Sequence, residues 1–193
     1  MTYEIRKARK DERHAIAKAF AYSYKDLFLQ LQLDLDLIAN AFDSGVRTEK
    51  FWVAVKDGDI IGIAACTDRD GRAVYPNEDD FIKYFGPNGA SLCDVFKNEF
   101  TKKLTYPKTT GYIEFVGVLE EARGHGISKE IMSEIIKQSP QYDEFVLDVA
   151  NNNIAAIILY QRLGFVEFDR IPAPNPEMMG FESRIYMKLK KEE

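Results

Sequence analysis

The chain is poor in the residues that disulfide, redox and metal chemistry draw on, with 2 cysteines, 2 histidines and 1 tryptophan among 193 residues. Cys66 lies in an apolar strand-like run and Cys93 in a helix-like one. They are too few for a disulfide framework or a cysteine metal site, and read as small buried thiols. His14 and His125 stand far apart without a paired acidic ligand motif, so no metal is expected. No apolar run approaches the roughly 20 residues that span a bilayer. The opening MTYEIRKARKDERH is charged where a signal peptide needs an apolar segment. A soluble, cytoplasmic protein with no membrane partner is therefore expected. A basic excess is missing too: the net charge is −5, which excludes nucleic acid as a main partner and suits a cationic small substrate. The one long basic cluster, Lys188, Lys190 and Lys191, reads as a solvated tail.

What the chain does have is core: 46% hydrophobic and 12% aromatic residues support one domain, with or without an insertion. Strand and helix signals alternate. A strand is expected over Thr2 to Ala8 and a helix over Lys10 to Phe20. Between Tyr22 and Phe42 the leucines fit both a two-residue and a four-residue period, and the poor strand formers Gln and Asp between them favour helix. Asp57-Gly58 between the apolar runs Phe51–Lys56 and Ile60–Thr67 predicts an antiparallel hairpin. From Arg69 to Thr109 the pattern breaks into turns and two helices, Glu78 to Phe85 and Ser91 to Leu104, the second with Leu92, Val95, Phe96 and Phe100 on one face. This stretch, about 69–109, reads as an insertion between the third and fourth strands. Then come a strand (Tyr112 to Val118), a helix (Ser128 to Gln138), a strand (Glu144 to Val149), a helix (Asn153 to Leu163) and strands at Val166 to Ile171 and Arg184 to Leu189, a β-α-β-α-β order that feeds a mixed sheet.

The most informative run is Arg123-Gly124-His125-Gly126-Ile127-Ser128, which joins a strand to a helix start. Two glycines permit a tight turn, and the free amides of a helix N-terminus form a cradle for phosphate. A nucleotide P-loop would need Gly-Lys-Ser or Gly-Lys-Thr here, and a dinucleotide fingerprint would need glycine where Lys129 stands. The spacing that fits is Arg-x-x-Gly-x-small, filled by Arg123, Gly126 and Ser128. Downstream, Asn153-Ile154-Ala155-Ala156-Ile157-Ile158-Leu159-Tyr160-Gln161-Arg162-Leu163-Gly164-Phe165 reads N-x-A-A-x-x-L-Y-x-x-x-G-F. Physically, Asn153 is a good helix N-cap and Gly164 a left-handed terminator. Together, the two motifs resemble the acyl-CoA loop and second signature of GNAT-type N-acetyltransferases, strongly from Tyr112 to Phe168 and weakly over Thr2 to Thr67. Ser128 departs from the Gly or Ala usual at its position, though it is small enough to keep the backbone approach.

The resemblance implies an α/β (α+β) fold: a mixed, mostly antiparallel sheet flanked by helices, its central parallel strand pair splayed at the cofactor site. It implies one N-acetyltransferase domain over 1–193 that moves acetyl from acetyl-CoA, the acyl donor, directly to a primary amine of a small molecule or peptide. The competing reading is a non-catalytic acyl-CoA-binding or regulatory module. Tyr160 matches the family's proton donor beside the CoA sulfur, its ordinary pKa of about 10 suiting a thiolate leaving group. Glu114, a lone carboxylate in an apolar strand, is the base candidate; a solvated or ion-paired glutamate explains it equally well. Gly117 implies either a bulge that frees backbone near Val116 and Val118 or a packing contact. The expected cofactor contacts are Val116, Gly117, Val118, Arg123, Gly124, His125, Gly126, Ile127, Ser128, Asn153, Ala156 and Tyr160, with His125 an exposed loop residue. For the acceptor, Tyr22, Tyr24, Tyr75, Tyr84, Phe85, Asp79 and Asp80 either line an amine pocket or pack the inserted helices, and the proline-rich 172–181 loop, whose Ile171–Pro176 part reads as stiff and extended, either walls the site or merely connects strands. A homodimer is an option for which the sequence alone offers no interface.

Overall fold

The Asp57-Gly58 turn closes as its residues require: in the computed structural model, which describes residues 1–174 and 176–191, both adopt positive φ, 52° and 95°. That geometry matches the twist of the strands it joins, β2 (Phe51–Lys56) and β3 (Asp59–Thr67). They sit in a seven-stranded sheet with β1 (Glu4–Lys7), β4 (Thr110–Val118), β5 (Glu144–Ala150), β6 (Val166–Pro172) and β7 (Ser183–Lys190), in the order β1-β2-β3-β4-β5-β7-β6. Every neighbouring pair is antiparallel except β4 and β5. The mixed sheet is thus the expected one.

The ambiguous 22–42 segment is helical, in pieces: α1 (Arg13–Ser23), α2 (Lys25–Gln30) and α3 (Leu35–Asp43). Gln32 at φ 56° breaks the run, and Asp34 restarts it by accepting from the amides of Asp36 and Leu37, both at 2.9 Å. Two further helices, α4 (Glu78–Phe85) and α5 (Gly89–Phe100), fall between β3 and β4. α5 starts and stops earlier than the sequence pattern predicts. The Thr101 hydroxyl donates to the Lys97 carbonyl at 2.7 Å, capping the end, and Leu104 goes instead to a small cluster with Tyr112 and Val146. The buried line of α5 is Cys93 and Phe96, while Val95 points outward. Gly89 is required there, since a Cβ would lie 2.3 Å from the Phe81 carbonyl oxygen.

Alternation along β2 and β3 divides the core in two. Val53, Ile63 and Ala65 face an aromatic cluster with α1, α3, α4 and α5, in which Phe20, Phe42, Phe81, Phe96, Phe100 and Phe115 meet mostly edge to face. Trp52, Ala54, Ala64 and Cys66 face the opposite way, toward the aliphatic residues of α6 (Ile127–Lys137), with Tyr160 of α7 (Ile154–Arg162) in the same cluster. Burial pushes the Cys66 thiol up to about 12, so it is no nucleophile. Of the proline-rich stretch, Pro172 ends β6 and Pro176 opens the one-turn helix α8 (Pro176–Met179); Asn175 lies outside the described residues. Proline is compatible with a first helical turn because its missing N–H would be unpaired there. No described helix is long and apolar enough to cross a membrane.

Candidate active site

β4 and β5 pair over only three registers, Thr110 with Glu144, Gly111 with Phe145 and Tyr112 with Val146. Beyond Tyr112 the two strands part. The cause lies within β4: Ile63 of β3 pairs with Gly117 and Ala65 with Glu114, so β4 carries one extra residue between them. Phe115, in that interval, has φ 55°. This is a bulge, which bends a strand and re-aims its side chains. It sits just before Gly117 rather than at it. Gly117 itself is a packing glycine, where a Cβ would lie 2.7 Å from Ser23 Cβ.

Three tyrosines converge on the opening. The Tyr24 hydroxyl donates to the Val116 carbonyl at 3.1 Å, and the Tyr112 hydroxyl donates to Asp148 on β5. Tyr160 comes from α7 on the other face of the sheet and is 6% exposed. Burial first, and the Asp148 carboxylate second, raise its pKa; Tyr24 is raised by burial and then by Tyr160. Tyr24, Tyr160 and Asp148 are therefore within electrostatic reach of one another across the gap. Tyr160 remains a neutral proton donor throughout the physiological range.

The two carboxylates on this side of the sheet differ. Glu114 accepts from Arg72 Nε at 2.8 Å and again from Nη2, from the Ala73 amide at 3.0 Å and from the Thr67 hydroxyl at 3.1 Å. Its side chain is 7% exposed. Asp148, 17% exposed, accepts from Tyr112 and from Arg184 Nη1 at 2.6 Å, and Arg184 also pairs with Glu99 of α5. Asp148 was not singled out from the sequence, although it repeats much of the signal used for Glu114: an acid inside an apolar run, here Phe145-Val146-Leu147-Asp148-Val149.

At the mouth of the gap, the glycine-rich turn leads into α6. Gly124 and Gly126 take φ of 80° and 78°, which only glycine adopts freely, and the turn residues 123–126 are exposed. Nothing lies within 4 Å of where a Gly124 Cβ would stand. Ile127 is buried against the sheet and Ser128 half-buried. The Arg123 side chain, though exposed, donates to the carbonyls of Val118 and Ser23, both at 3.2 Å, and so braces the turn. The Val116 and Val118 carbonyls are thus both engaged. His125 is exposed, its Nδ1 3.0 Å from the Arg123 carbonyl. Asn153 caps α7 by accepting from the Ala156 amide at 3.2 Å. Ser23 Oγ is buried without a partner beside Gly117. An open, amide-rich turn at the start of an 11-residue helix fits a diphosphate.

The aromatic set proposed for the acceptor divides. Tyr24 reaches the gap; Tyr84 and Phe85 pack against the aromatic core, Tyr75 accepts from the Arg72 amide, and Tyr22 donates to Asp36.

The family model described as the acetyltransferase (GNAT) family matches residues 10–165. N-alpha-acetyltransferase 30 of Saccharomyces cerevisiae is 36% identical over 63 residues, a stretch covering 32% of this chain and 36% of that relative's length. Among solved structures, yncA of Salmonella typhimurium with its cofactor acetyl-CoA is similar at TM-score 0.64 and 16% identity, with 100% of this chain and 96% of that one covered. The NatC complex bound to Gag peptide and CoA is similar at TM-score 0.58 and 18% identity, with both chains covered fully.

Proposed function

Starting from a chain that belongs to the GNAT family of acetyltransferases, we propose that it is an N-acetyltransferase whose acceptor is a primary amine of a small molecule or peptide. The domain is taken as the whole of 1–193, with α4 and α5 an insertion over about 69–109. The observation that carries this reading is the gap between β4 and β5, with the Asp148 carboxylate on β5, the neutral Tyr160 of α7 within its electrostatic reach from the other face, and an open anion cradle after β4.

Bound acetyl-CoA supplies an acyl group already activated as a thioester. The rest falls to the protein. The exposed amides of Gly124 to Ser128 and the positive end of α6 hold the diphosphate, with Arg123 fixing the turn from behind. Asn153 and Ala156 at the start of α7, and the bulged backbone from Val116 to Val118, border the pantetheine path. An ammonium acceptor is no nucleophile until it loses a proton. Asp148 takes that proton at the carboxylate sector not occupied by Tyr112 and Arg184. Tyr160 Oη donates a proton to the departing sulfur. Glu114, the base put forward from the sequence, has its accepting positions taken by Arg72, Ala73 and Thr67, an arrangement that supports a structural ion pair instead.

The test is a thiol-release screen with acetyl-CoA across polyamines, aminoglycosides, amino acids and peptide N-termini. Release with one amine class supports the enzyme. Tight CoA binding with no release from any amine would leave the regulatory module.

A further inference from the structure

Arg184 does not belong to Asp148 alone. Its Nη1 donates to Asp148 Oδ2 at 2.6 Å while its Nη2 donates to Glu99, so one guanidinium on β7 serves a carboxylate on β5 and another on α5. The Phe181 ring lies 5.0 Å from the guanidinium carbon and holds the fork from a third side. All three charged side chains are partly shielded, at 27% exposure for Arg184, 30% for Glu99 and 17% for Asp148, where charges act on one another more strongly than in bulk water. The second oxygen of Glu99 lies 3.9 Å from Lys102 Nζ, but that side chain is 71% exposed and solvent screens its charge.

How the guanidinium is divided decides how readily Asp148 takes a proton. An arginine beside a carboxylate favours the anion and lowers its proton affinity by roughly one to three pH units. A second carboxylate on the same guanidinium shares the positive charge and adds a like charge nearby, and both effects give proton affinity back to the first. The groups in the field of Asp148 come from every side. Tyr112 of β4 donates to it, Arg184 and Tyr186 flank it on β7 with Asp169 of β6 opposite Tyr186, Tyr106 stands before β4, and Tyr24 and Tyr160 lie across the gap. Arg72 is in reach as well but is spent on Glu114. Glu99 acts on the same field: Tyr186 is raised by burial, by Asp148 and by Glu99, and lowered by Arg184.

We propose that Glu99 is a positioning residue for acetyl transfer: it draws Arg184 partly away from Asp148, so that Asp148 stays basic enough to deprotonate the acceptor amine. This rests on Asp148 as the base. It gives α5, a helix of the segment between β3 and β4, a part in the chemistry without contact with the substrate.

Glu99→Gln isolates the effect, because glutamine keeps an oxygen that accepts from Arg184 and loses only the charge. A Cγ-labelled Asp148 titrated by NMR, with no ligand present, should show its midpoint fall by about one pH unit in this variant, a tenfold loss of proton affinity. Glu99→Asp restores the charge and should bring back most of the shift. A merely structural contact would survive as a hydrogen bond in Glu99→Gln and leave the midpoint where it was. Turnover supplies the second readout: with an amine that releases thiol from acetyl-CoA, the acid limb of the kcat/KM profile should move down in pH with the midpoint. Circular dichroism checks that both variants fold. A midpoint that stays or rises in folded Glu99→Gln overturns the proposal and leaves Asp148 standing as the base. A midpoint that falls while the acid limb stays put removes Asp148 as the base, and the role of Glu99 in transfer falls with it.

Discussion

β4 places Glu114 and β5 places Asp148 on the same side of the sheet, and the protein treats the two in opposite ways. Glu114 lies where β4 still has β3 beside it, so Thr67 of β3 and the Arg72–Ala73 backbone and guanidinium close around it. Asp148 lies past the last β4–β5 pairing, where β4 has turned away and, among the described residues, Tyr112 and Arg184 donate to it. An acid enclosed on every side is a brace. In the proposed reaction, an acid held at two points takes the proton from an incoming amine. The difference is thus topological before it is chemical: a single bulge in β4 decides which acid is locked and which is available.

The sharpest way to break this comparison is to neutralise each acid in turn. Asp148→Asn is expected to lower kcat/KM by about 10²- to 10⁴-fold, the range of a lost general base. CoA affinity by calorimetry should be little changed. Glu114→Ala is expected to do the reverse. Removing one member of a buried pair strands the Arg72 charge and costs about 3–5 kcal/mol of folding stability, read from urea denaturation midpoints, while turnover per folded molecule stays near wild type. If Glu114→Ala kills turnover in a stable fold and Asp148→Asn does not, the two roles are exchanged.

This pair also shows what the sequence could and could not reveal. Element positions were legible wherever local chemistry decides them: Asp57-Gly58 for the hairpin, Asn153 and Gly164 for the ends of α7, the glycines of the 123–128 turn. The mixed sheet followed from two motifs in order. The environments of Glu114 and Asp148 were not legible, because both look alike as acids inside apolar runs. What separates them is Arg72, 42 residues before Glu114, and a bulge at Phe115, where the neighbouring Gly117 gave the nearer signal. Long-range partners and register shifts leave no local periodicity behind. The early stop of α5 was missed for a related reason, since Leu104 continues the apolar spacing while the Thr101 hydroxyl ends the helix.

A smaller effect should separate binding from proton transfer. Gly126 sits at φ 78° as the residue preceding α6. Valine there pays about 1–2 kcal/mol or more for the left-handed conformation and pulls the turn out of shape. CoA affinity is expected to fall by about tenfold, where Asp148→Asn leaves it alone. Equal affinity in Gly126→Val would remove the 123–128 turn as the diphosphate cradle and detach both carboxylates from the proposed chemistry.

The finest contrast is electrostatic and uses Tyr160 as the reporter. Its pKa is raised by burial and, second, by the Asp148 charge; Glu114 is not among the causes. The sign follows directly. A nearby anion disfavours phenolate, so removing it in Asp148→Asn lets Tyr160 ionise more easily, and its pKa should fall while staying above about 10, because burial remains. Glu114→Gln should leave it unmoved. Stability carries the same signature: a tyrosine whose folded pKa exceeds its unfolded value contributes fully below pH 10, and that contribution is lost as pH rises above it. Wild-type stability should therefore decline above about pH 10, and Tyr160→Phe should soften the decline. A Cζ-labelled Tyr160 titrated by NMR in both acid variants reads the contrast at one site. A Tyr160 that responds equally to the two substitutions would place it outside the reach of Asp148 and take away the donor–acceptor pairing across the gap.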